Sequence, residues 1–288
     1  MLCFYHSADL DGHCSGAIVK HFYPDCEMVG IDYGQPFPWE KIPEHEMVWM
    51  VDFSLQPFSD MVKLSEMCCL TWIDHHKTAI EEFKAAGDAF RGNEELDSDY
   101  AACELTWEYI KAVLGPNTVP EMPEPIYLLG RYDIWKHAEV RGALEFQYGM
   151  RAFADTWPNS PIGMECWREI FSDKQTSKII NDGVTFLQYE RNQNAKFIAA
   201  YGFEAELDGL RLIACNKGFT NSLVFESRWD SQKYDAMCAF AWKNGKWTVS
   251  LYTDKPGIDV SAVCKARGGG GHKGAAGFQC SELPWTDN

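Results

Sequence analysis

The chain has 288 residues, of which 46 % are hydrophobic and 24 % are charged, a composition typical of a soluble globular protein with one large or two medium domains. Its formal net charge of −16, from 42 acidic and 26 basic residues, disfavours a protein that coats long DNA or RNA, because such a protein needs a basic track to release counterions. No apolar run is long enough to span a bilayer, and "MLCFYHSADLDG" at the amino terminus lacks the basic region and cleavage site of a secretory signal.

Three apolar runs in the first third of the chain predict strands: "LCFYHS", "EMVWMVDFS" ending at Asp52, and "CCLTWIDHH" ending at Asp74. Each run is continuous rather than alternating, as expected for strands that are covered on both faces. Helical segments lie between and after them: "HCSGAIVKHFY", "SDMVKLSEM", "TAIEEFKAAG" and "DYAACELTWEYIKAVLG". This order of strands and helices predicts an α/β fold with a doubly wound parallel sheet.

The middle of the chain is more helical. A helix that starts with proline, "PEPIYLLGRYDIW", runs toward Asp133, and the amphipathic "SKIINDGVTFLQYERNQNAKFIAA" reads as a connector between domains. Beyond it, "FEAELDGLRLIACN" and "YDAMCAFAWKNGKWTVSLYT" predict strands, with "KNGK" as a hairpin turn. We therefore predict a first domain of residues 1–180, a helical linker of residues 181–200 and a second domain of residues 201–288.

Acidic and histidine side chains stand at the ends of the predicted strands or in the motifs that follow. They are His6, Asp9, Asp11, Asp52, Asp74, His75, His76 and Asp133. Taken singly, His6 is typical of a core histidine, while the aspartates are typical of turns and helix caps. In a parallel α/β sheet, however, ligands collect at the carboxyl ends of the strands, and crowded carboxylates need cations to neutralise them. The joint placement favours divalent metal ions, with oxygen-rich sites favouring Mn²⁺ or Mg²⁺.

A glycine-rich stretch, "RGGGGHKGAAG", lies near the carboxyl terminus. Gly268 to Gly271 let backbone N–H groups turn toward an anion. His272 and Lys273 add donors at the predicted start of a helix, "KGAAGF", where the helix dipole also favours phosphate. The alternative is a flexible glycine-rich hinge with an incidental histidine.

These motifs, in this order, resemble those of the DHH phosphoesterase family. The matching stretches are "HSADLDG", "VDFS", "DHH" and the Asp133 of "RYDIW", and "GGGGHKGAAGF" resembles the signature of the associated DHHA1 domain. The resemblance implies an N-terminal DHH domain and a smaller C-terminal α/β DHHA1 domain, with the active site in the cleft between them.

The resemblance also implies a role for each residue. His6, Asp9 and Asp52 would hold one metal, and Asp11, Asp52, His75 and Asp133 the second, so that Asp52 bridges the two. The implied catalytic pair is His76, which would face the substrate phosphate, and Asp74, which would orient its neighbours. The implied substrate-binding residues are Gly269, Gly270, Gly271, His272 and Lys273.

One position departs from the pattern of the family. Many relatives carry an arginine in a "SLRS"-like stretch before the glycine-rich loop, whereas this chain has "SLYTDK", with Tyr252 at that place. The change removes a phosphate clamp, for which Lys255, Lys265 and Arg267 are nearby substitutes. Tyr252 could instead bind a phosphate or stack on a base, as in the nanoRNase-like branch that degrades very short RNAs.

The expected activity is therefore that of a phosphodiesterase with two divalent cations, Mn²⁺ first and Mg²⁺ or Co²⁺ as alternatives. It would use a hydroxide that bridges the metals to cleave short oligonucleotides 3′ to 5′ into nucleoside monophosphates. The alternatives are a linear or cyclic dinucleotide phosphodiesterase, a nucleoside 3′,5′-bisphosphate phosphatase, an exopolyphosphatase, and a nucleotide sensor without activity. Neither long duplexes nor membranes are expected partners, and a homodimer is left open. Eleven scattered cysteines without a CxxC pair predict reduced thiols and a cytoplasmic protein.

Overall fold

The computed structural model describes residues 1–42 and 44–285, which divide into two compact units. The first unit comprises Met1–Phe186, and the second begins at Leu187. The division falls within a 26-residue helix, Thr176–Tyr201. Among the described residues, no helix has both the length and the apolar character needed to cross a membrane.

The first unit is built on a five-stranded sheet in which every neighbouring pair of strands is parallel. Its strands are β1 (Leu2–His6), β2 (Glu27–Ile31), β3 (Met47–Val51), β4 (Cys69–Asp74) and β5 (Asn93–Leu96), in the order β2-β1-β3-β4-β5. The three predicted strands are confirmed as β1, β3 and β4. The two edge strands were missed, because β2 (EMVGI) contains a glycine and β5 (NEEL) is polar, so that neither forms a long apolar run.

Helices cover both faces of this sheet. They are α1 (Leu10–Phe22), α2 (Ser59–Met67), α3 (Lys77–Ala86), α4 (Ala102–Leu114), α5 (Glu124–Asp133), α6 (Ala143–Met150), α7 (Pro161–Phe171) and α8 (Thr176–Tyr201). Cys3 and Tyr5 of β1 pack in the core formed with α1 and α4–α7, whereas Leu2 and Phe4 pack on the opposite side with α2 and α3. Since successive side chains of a strand point to opposite faces, a sheet covered on both sides requires continuous apolar runs. The predicted doubly wound sheet is confirmed.

The strand order creates a crevice at one edge of the sheet. Between β1 and β3 the order reverses, so the connections leave these neighbouring strands in opposite directions, and ligands bind at such a point beyond the carboxyl ends of the strands. His6 is the last residue of β1, and Asp52 directly follows β3. The topology therefore brings two of the predicted ligands, His6 and Asp52, to the place where a doubly wound sheet binds ligands.

The second unit contains the end of α8 and a six-stranded mixed sheet. Its strands are β6 (Phe203–Leu207), β7 (Leu210–Asn216), β8 (Ala236–Lys243), β9 (Lys246–Tyr252), β10 (Gly270–His272) and β11 (Ala275–Cys280), and α9 (Val260–Lys265) precedes β10. The order is β10-β11-β9-β8-β7-β6, and β7 and β8 are the parallel pair. Ile198 of α8 packs on one face and Val260 of α9 on the other, which gives the expected smaller α/β domain.

The "KNGK" turn is confirmed. Asn244 and Gly245 both have positive φ, 54° and 81°, as a two-residue turn between twisted antiparallel strands requires.

The helix predicted at "KGAAGF" was wrong, because these residues turn into strand β11. Ala276 and Phe278 are buried, whereas Ala275, Gly277 and Gln279 alternate with them on the other side of the sheet, which is a period of two rather than of a helix. The nearby helix, α9, lies before the glycine run, and no helix begins after His272 in the part of the chain described up to residue 285.

Candidate metal centre

The loop between β1 and α1 places the first pair of ligand candidates. Asp9 is the N-cap of α1, and its Oδ1 accepts a hydrogen bond of 2.9 Å from the N–H of Gly12. Its other oxygen, Oδ2, lies 3.1 Å from Nδ1 of His6. The capping role that the sequence allowed for Asp9 and the predicted ligand role are therefore served by different oxygens of one carboxylate.

Asp52 lies at the centre of the cluster. It has a left-handed backbone with φ of 57°, and its N–H donates to the carbonyl of Ile73 over 2.9 Å. Its Oδ2 lies 3.4 Å from Nδ1 of His6, and its Oδ1 lies 3.2 Å from Nε2 of His75. Both oxygens are buried, and neither accepts a hydrogen bond from the residues that the structure describes. A strained backbone at a functional position is common, because the surrounding structure has to hold the side chain in place.

Two groups of ligand atoms meet at Asp52. The ligand atoms of His6, Asp9 and Asp52 lie within 4.8 Å of one another, as do those of Asp11, Asp52 and His75. Asp133, the last residue of α5, joins the second group, since its Oδ2 lies 3.2 Å from Nε2 of His75. The structure thus brings together all six predicted metal ligands, although Asp133 comes from a helix rather than from a strand end.

The carboxylate of Asp11 is held from behind by helix α4. Its Oδ2 accepts from the N–H of Ala102 over 2.9 Å, and its Oδ1 accepts from the N–H of Cys103 over 2.8 Å. The first N–H groups of a helix have no partner within the helix and carry its positive dipole end. Oδ2 of Asp11 also lies 3.5 Å from Nε2 of His75, so helix α4 aims this carboxylate at the second group.

The predicted catalytic pair, Asp74 and His76, is in direct contact. Nδ1 of His76 donates to Oδ1 of Asp74 over 2.7 Å, and the same oxygen accepts from the N–H groups of His75 and His76 over 2.7 and 3.0 Å. Asp74 is fully buried, whereas the side chain of His76 is partly open. Asp74 therefore fixes the ring of His76 through Nδ1, and Nε2 points the other way.

The crowding of charges shifts the pKa values of the cluster. Burial, with the neighbouring carboxylates of Asp52 and Asp133, raises the pKa of Asp11 well above its usual range. Burial raises the pKa of Asp133 to about 6; Asp9 and Asp52 add to the rise and His75 opposes it. Burial alone would lower the pKa of His75, but Asp52, Asp133 and Asp11 outweigh it and raise that pKa well above its ordinary value.

The same balance applies at His6. Burial would lower its pKa, but Asp9, Asp32 and Asp52 raise it well above the ordinary value. Such shifts mean that the crowded carboxylates favour positive charge beside them, from protons or from cations.

The cluster fits divalent cations. The buried oxygens of Asp52 without hydrogen-bond donors, four carboxylates and two imidazoles match the ligands that Mn²⁺ and similar ions take. Asp52, with one oxygen toward each group, is placed as a bridging ligand would be.

We expect the affinity for Mn²⁺ to rise with pH, because the cation has to displace protons from its ligands. Because the pKa values of His6 and His75 are raised well above their ordinary value and that of Asp133 is about 6, binding should weaken progressively as pH falls from above neutrality through about 6. Calorimetry in two buffers of different protonation enthalpy would measure the protons released. Asp133→Asn should release fewer of them, and an affinity that does not change between about pH 5 and pH 7 would contradict the arrangement.

Two residues beyond strand β2 join the site and were not predicted. Oδ1 of Asp32 lies 3.6 Å from Nε2 of His6, on the side of the ring that faces away from Asp52. The ring of Tyr33 meets that of His6 edge to face, with centroids 5.6 Å apart. The only sequence signal was the short apolar "MVGI" that precedes "DYG", which places Asp32 at a strand end once β2 is recognised.

The predicted substrate-binding residues belong to the second unit. Gly270–His272 form β10, and Gly269 and Lys273 flank that strand. In the strand register His272 is opposite Ala275, which is in turn opposite Tyr252, so His272 and Tyr252 share one face of the sheet. The glycines permit close strand contact, since a Cβ on Gly269 would lie 2.0 Å from the carbonyl oxygen of Gly277.

Two of the suggested substitutes for the missing arginine are already paired. Nζ of Lys255 lies 2.5 Å from Oδ1 of Asp235, and Arg267 donates two hydrogen bonds of 2.7 Å to Asp208. Each would have to leave its carboxylate partner to clamp a phosphate.

Comparison with solved structures shows which proteins share the fold of this chain. Neither a protein-family model nor a curated protein matches the sequence. An exopolyphosphatase-related protein from Bacteroides fragilis is similar in structure with a TM-score of 0.57 and 12 % identity, over 98 % of this chain and 87 % of that one. The DHH domain of a protein described as a member of a family of ribosomal proteins has a TM-score of 0.55 and 14 % identity, over 96 % of this chain and 81 % of that one. A pGpG-specific phosphodiesterase from Vibrio cholerae reaches 0.47 at 13 % identity, over 96 % and 92 % of the two chains. The chain has the two-sheet α/β fold of DHH-domain proteins.

Proposed function

We propose that this protein is a phosphodiesterase of the DHH/DHHA1 type, dependent on divalent metal ions, that hydrolyses short oligonucleotides from the 3′ end into nucleoside monophosphates. The observation that carries the proposal is the position of Asp52. Its two buried oxygens face two separate groups of imidazole and carboxylate ligands. Such a pair of groups sharing one carboxylate suits hydrolysis of a phosphate ester.

In this proposal, His6, Asp9 and Asp52 would hold one Mn²⁺, and Asp11, Asp52, His75 and Asp133 would hold the other. When bound, the two cations lower the pKa of a water molecule and neutralise charge on the phosphoryl oxygens. The protein's own contribution is rigidity. The N–H groups of Ala102 and Cys103 orient Asp11, and the strained turn after β3 orients Asp52.

His76 acts on the leaving oxygen. Asp74 is ionised, since the charges and hydrogen bonds of His76 and His75 outweigh burial and lower its pKa. Burial alone would lower the pKa of His76, but Asp74 outweighs it and raises that pKa, so Nε2 holds a proton that it can donate to the leaving 3′ oxygen of the shortened oligonucleotide, while the phosphate departs with the 3′-terminal nucleotide. The ring of His76 is partly open, which lets a substrate approach it.

The substrate class follows from charge. A net charge of −16 repels a long polyanion, whereas a substrate of a few nucleotides has few charges and can bind through the cations. A second candidate is an exopolyphosphatase, which the printed name of the Bacteroides fragilis protein favours. A cytoplasmic location suits the proposal, because the eleven cysteines, all within the described residues, are free thiols.

A product assay with Mn²⁺ decides between these activities. The purified protein is offered RNA dimers and pentamers, cyclic dinucleotides, a nucleoside 3′,5′-bisphosphate and polyphosphate side by side. We expect nucleoside monophosphates from the dimers and pentamers at the highest kcat/KM. Release of phosphate from polyphosphate alone would refute the proposal in favour of the second candidate.

Asp74→Asn should lower kcat by about 10- to 100-fold, because the asparagine lacks the negative charge that orients the His76 ring and keeps it protonated. The loss of the negative charge lowers the pKa of His76, so the alkaline limb of the pH–rate profile should move to lower pH. The profile of kcat, with the Mn²⁺ content measured in parallel, tests this prediction. An unchanged alkaline limb would show that His76 is not the acid.

A further inference from the structure

The loop after β2 brings an aromatic ring to the metal centre. Ile31, the last residue of β2, pairs with His6, and its carbonyl accepts from the N–H and the hydroxyl of Ser7 over 2.9 and 3.0 Å. The chain that follows Ile31 therefore starts at the same edge of the sheet as the loop that carries Asp9. Tyr33 lies two residues further on, beside the site rather than at a distant turn.

The ring of Tyr33 has support on one side and an open surface. Phe53 lies behind it, with ring centroids 4.5 Å apart and planes tilted by 30°. The edge-to-face contact with His6 fixes its position relative to a predicted metal ligand. Phe53 and His6 are 5 % and 7 % exposed, whereas Tyr33 is 39 % exposed. Two buried side chains thus hold the ring of a residue that is itself partly exposed.

The surroundings decide what this surface can bind. Asp32, which directly precedes Tyr33 and is not one of the proposed metal ligands, lies 3.6 Å from Nε2 of His6, so a further phosphate placed against Tyr33 would meet this carboxylate and a ring, neither of which binds an anion. A nucleobase is flat, uncharged and joined to the phosphate through a ribose, and stacking on an aromatic side chain is a common way to bind it. The site therefore offers a place for a base and none for a second phosphate at this position.

We propose that Tyr33, supported by Phe53, is the stacking platform for the nucleobase next to the phosphate that is hydrolysed. The inference rests on the proposed function, because it takes the phosphate to lie at the metal centre. It assigns nucleotides rather than polyphosphate as the substrate class. Stacking does not depend on which base is present, so the enzyme should show little preference among the four bases.

Binding of AMP and of ribose 5-phosphate isolates the contribution of the base. Both ligands carry the same phosphate and ribose, and calorimetry on the protein with Mn²⁺ compares them without any hydrolysis of a phosphodiester. We expect AMP to bind roughly tenfold more tightly than ribose 5-phosphate. Tyr33→Ala should abolish this preference and leave the affinity for ribose 5-phosphate unchanged, whereas Tyr33→Phe should keep the preference because the ring remains.

Tyr201→Ala, at an exposed tyrosine that ends α8, is the matched control and should bind both ligands as the wild type does. Equal affinity of the wild type for AMP and ribose 5-phosphate, or a preference that survives in Tyr33→Ala, would overturn the inference. Failure of the proposed function is a different result, namely no hydrolysis of any oligonucleotide. If that occurs while Tyr33→Ala still removes the preference for AMP, the base site stands and the proposed reaction does not.

Discussion

Asp52→Asn should abolish metal-dependent hydrolysis while the protein stays folded. The substitution keeps the shape of the side chain but removes the charge that faces both ligand groups, so each group loses a ligand at once. We expect turnover of a dinucleotide to fall by roughly 10³-fold, because bound metal ions supply several kcal/mol of charge stabilisation. Asparagine is preferable to alanine here, since it tolerates the left-handed backbone that Asp52 adopts.

The measurements are kcat/KM for a dinucleotide and the Mn²⁺ stoichiometry by calorimetry, with thermal unfolding as the check on folding. Asp88→Asn is the control, because Asp88 is an exposed carboxylate in the short helix Gly87–Ala89. It carries the same change of charge and should leave activity unaltered. Two Mn²⁺ ions per chain and full activity in Asp52→Asn would refute the bridging role.

Gly12→Ala should destabilise both the fold and the metal centre. Gly12 lies in the first turn of α1, and a Cβ there would lie 2.1 Å from the carbonyl oxygen of His6 and 2.6 Å from its Cβ. Helix propensity alone predicts the opposite, a gain of about 1 kcal/mol for alanine over glycine. Because the clash forces α1 away from the end of β1, we expect the free energy of unfolding to fall by about 1–3 kcal/mol. The sign of the change therefore distinguishes the two effects.

The displacement of α1 should also weaken Mn²⁺ binding by about tenfold, because His6 is a proposed metal ligand and its position depends on the residues packed around it. Gly115→Ala is the control. Gly115 follows α4 with φ of 83° and ψ of 158°, and no heavy atom lies within 4 Å of an added Cβ, so alanine there costs about 1–3 kcal/mol of backbone strain alone. Mn²⁺ affinity should be unchanged in that variant. A Gly12→Ala protein that is more stable than the wild type would contradict the close approach.

The three central strands of the first sheet could be predicted from the sequence for a physical reason. Strands covered on both faces need apolar side chains at every position, so β1, β3 and β4 stand out as continuous runs. The edge strands β2 and β5 need no such runs. Missing β2 meant missing Asp32 and Tyr33, because a polar residue is recognised as part of a site only once the strand before it is recognised.

The sequence by itself determined the type of sheet, the ligand candidates and the edge at which they meet, since these follow from local patterns and from the direction of parallel strands. Only the tertiary structure decided how the ligand candidates are divided into two groups. It turned one oxygen of Asp52 toward His6 and the other toward His75, and it placed the first N–H groups of α4 behind Asp11. It also made "KGAAGF" a strand instead of a helix. These outcomes depend on contacts between residues far apart in the chain, and packing of that kind overrides local propensity.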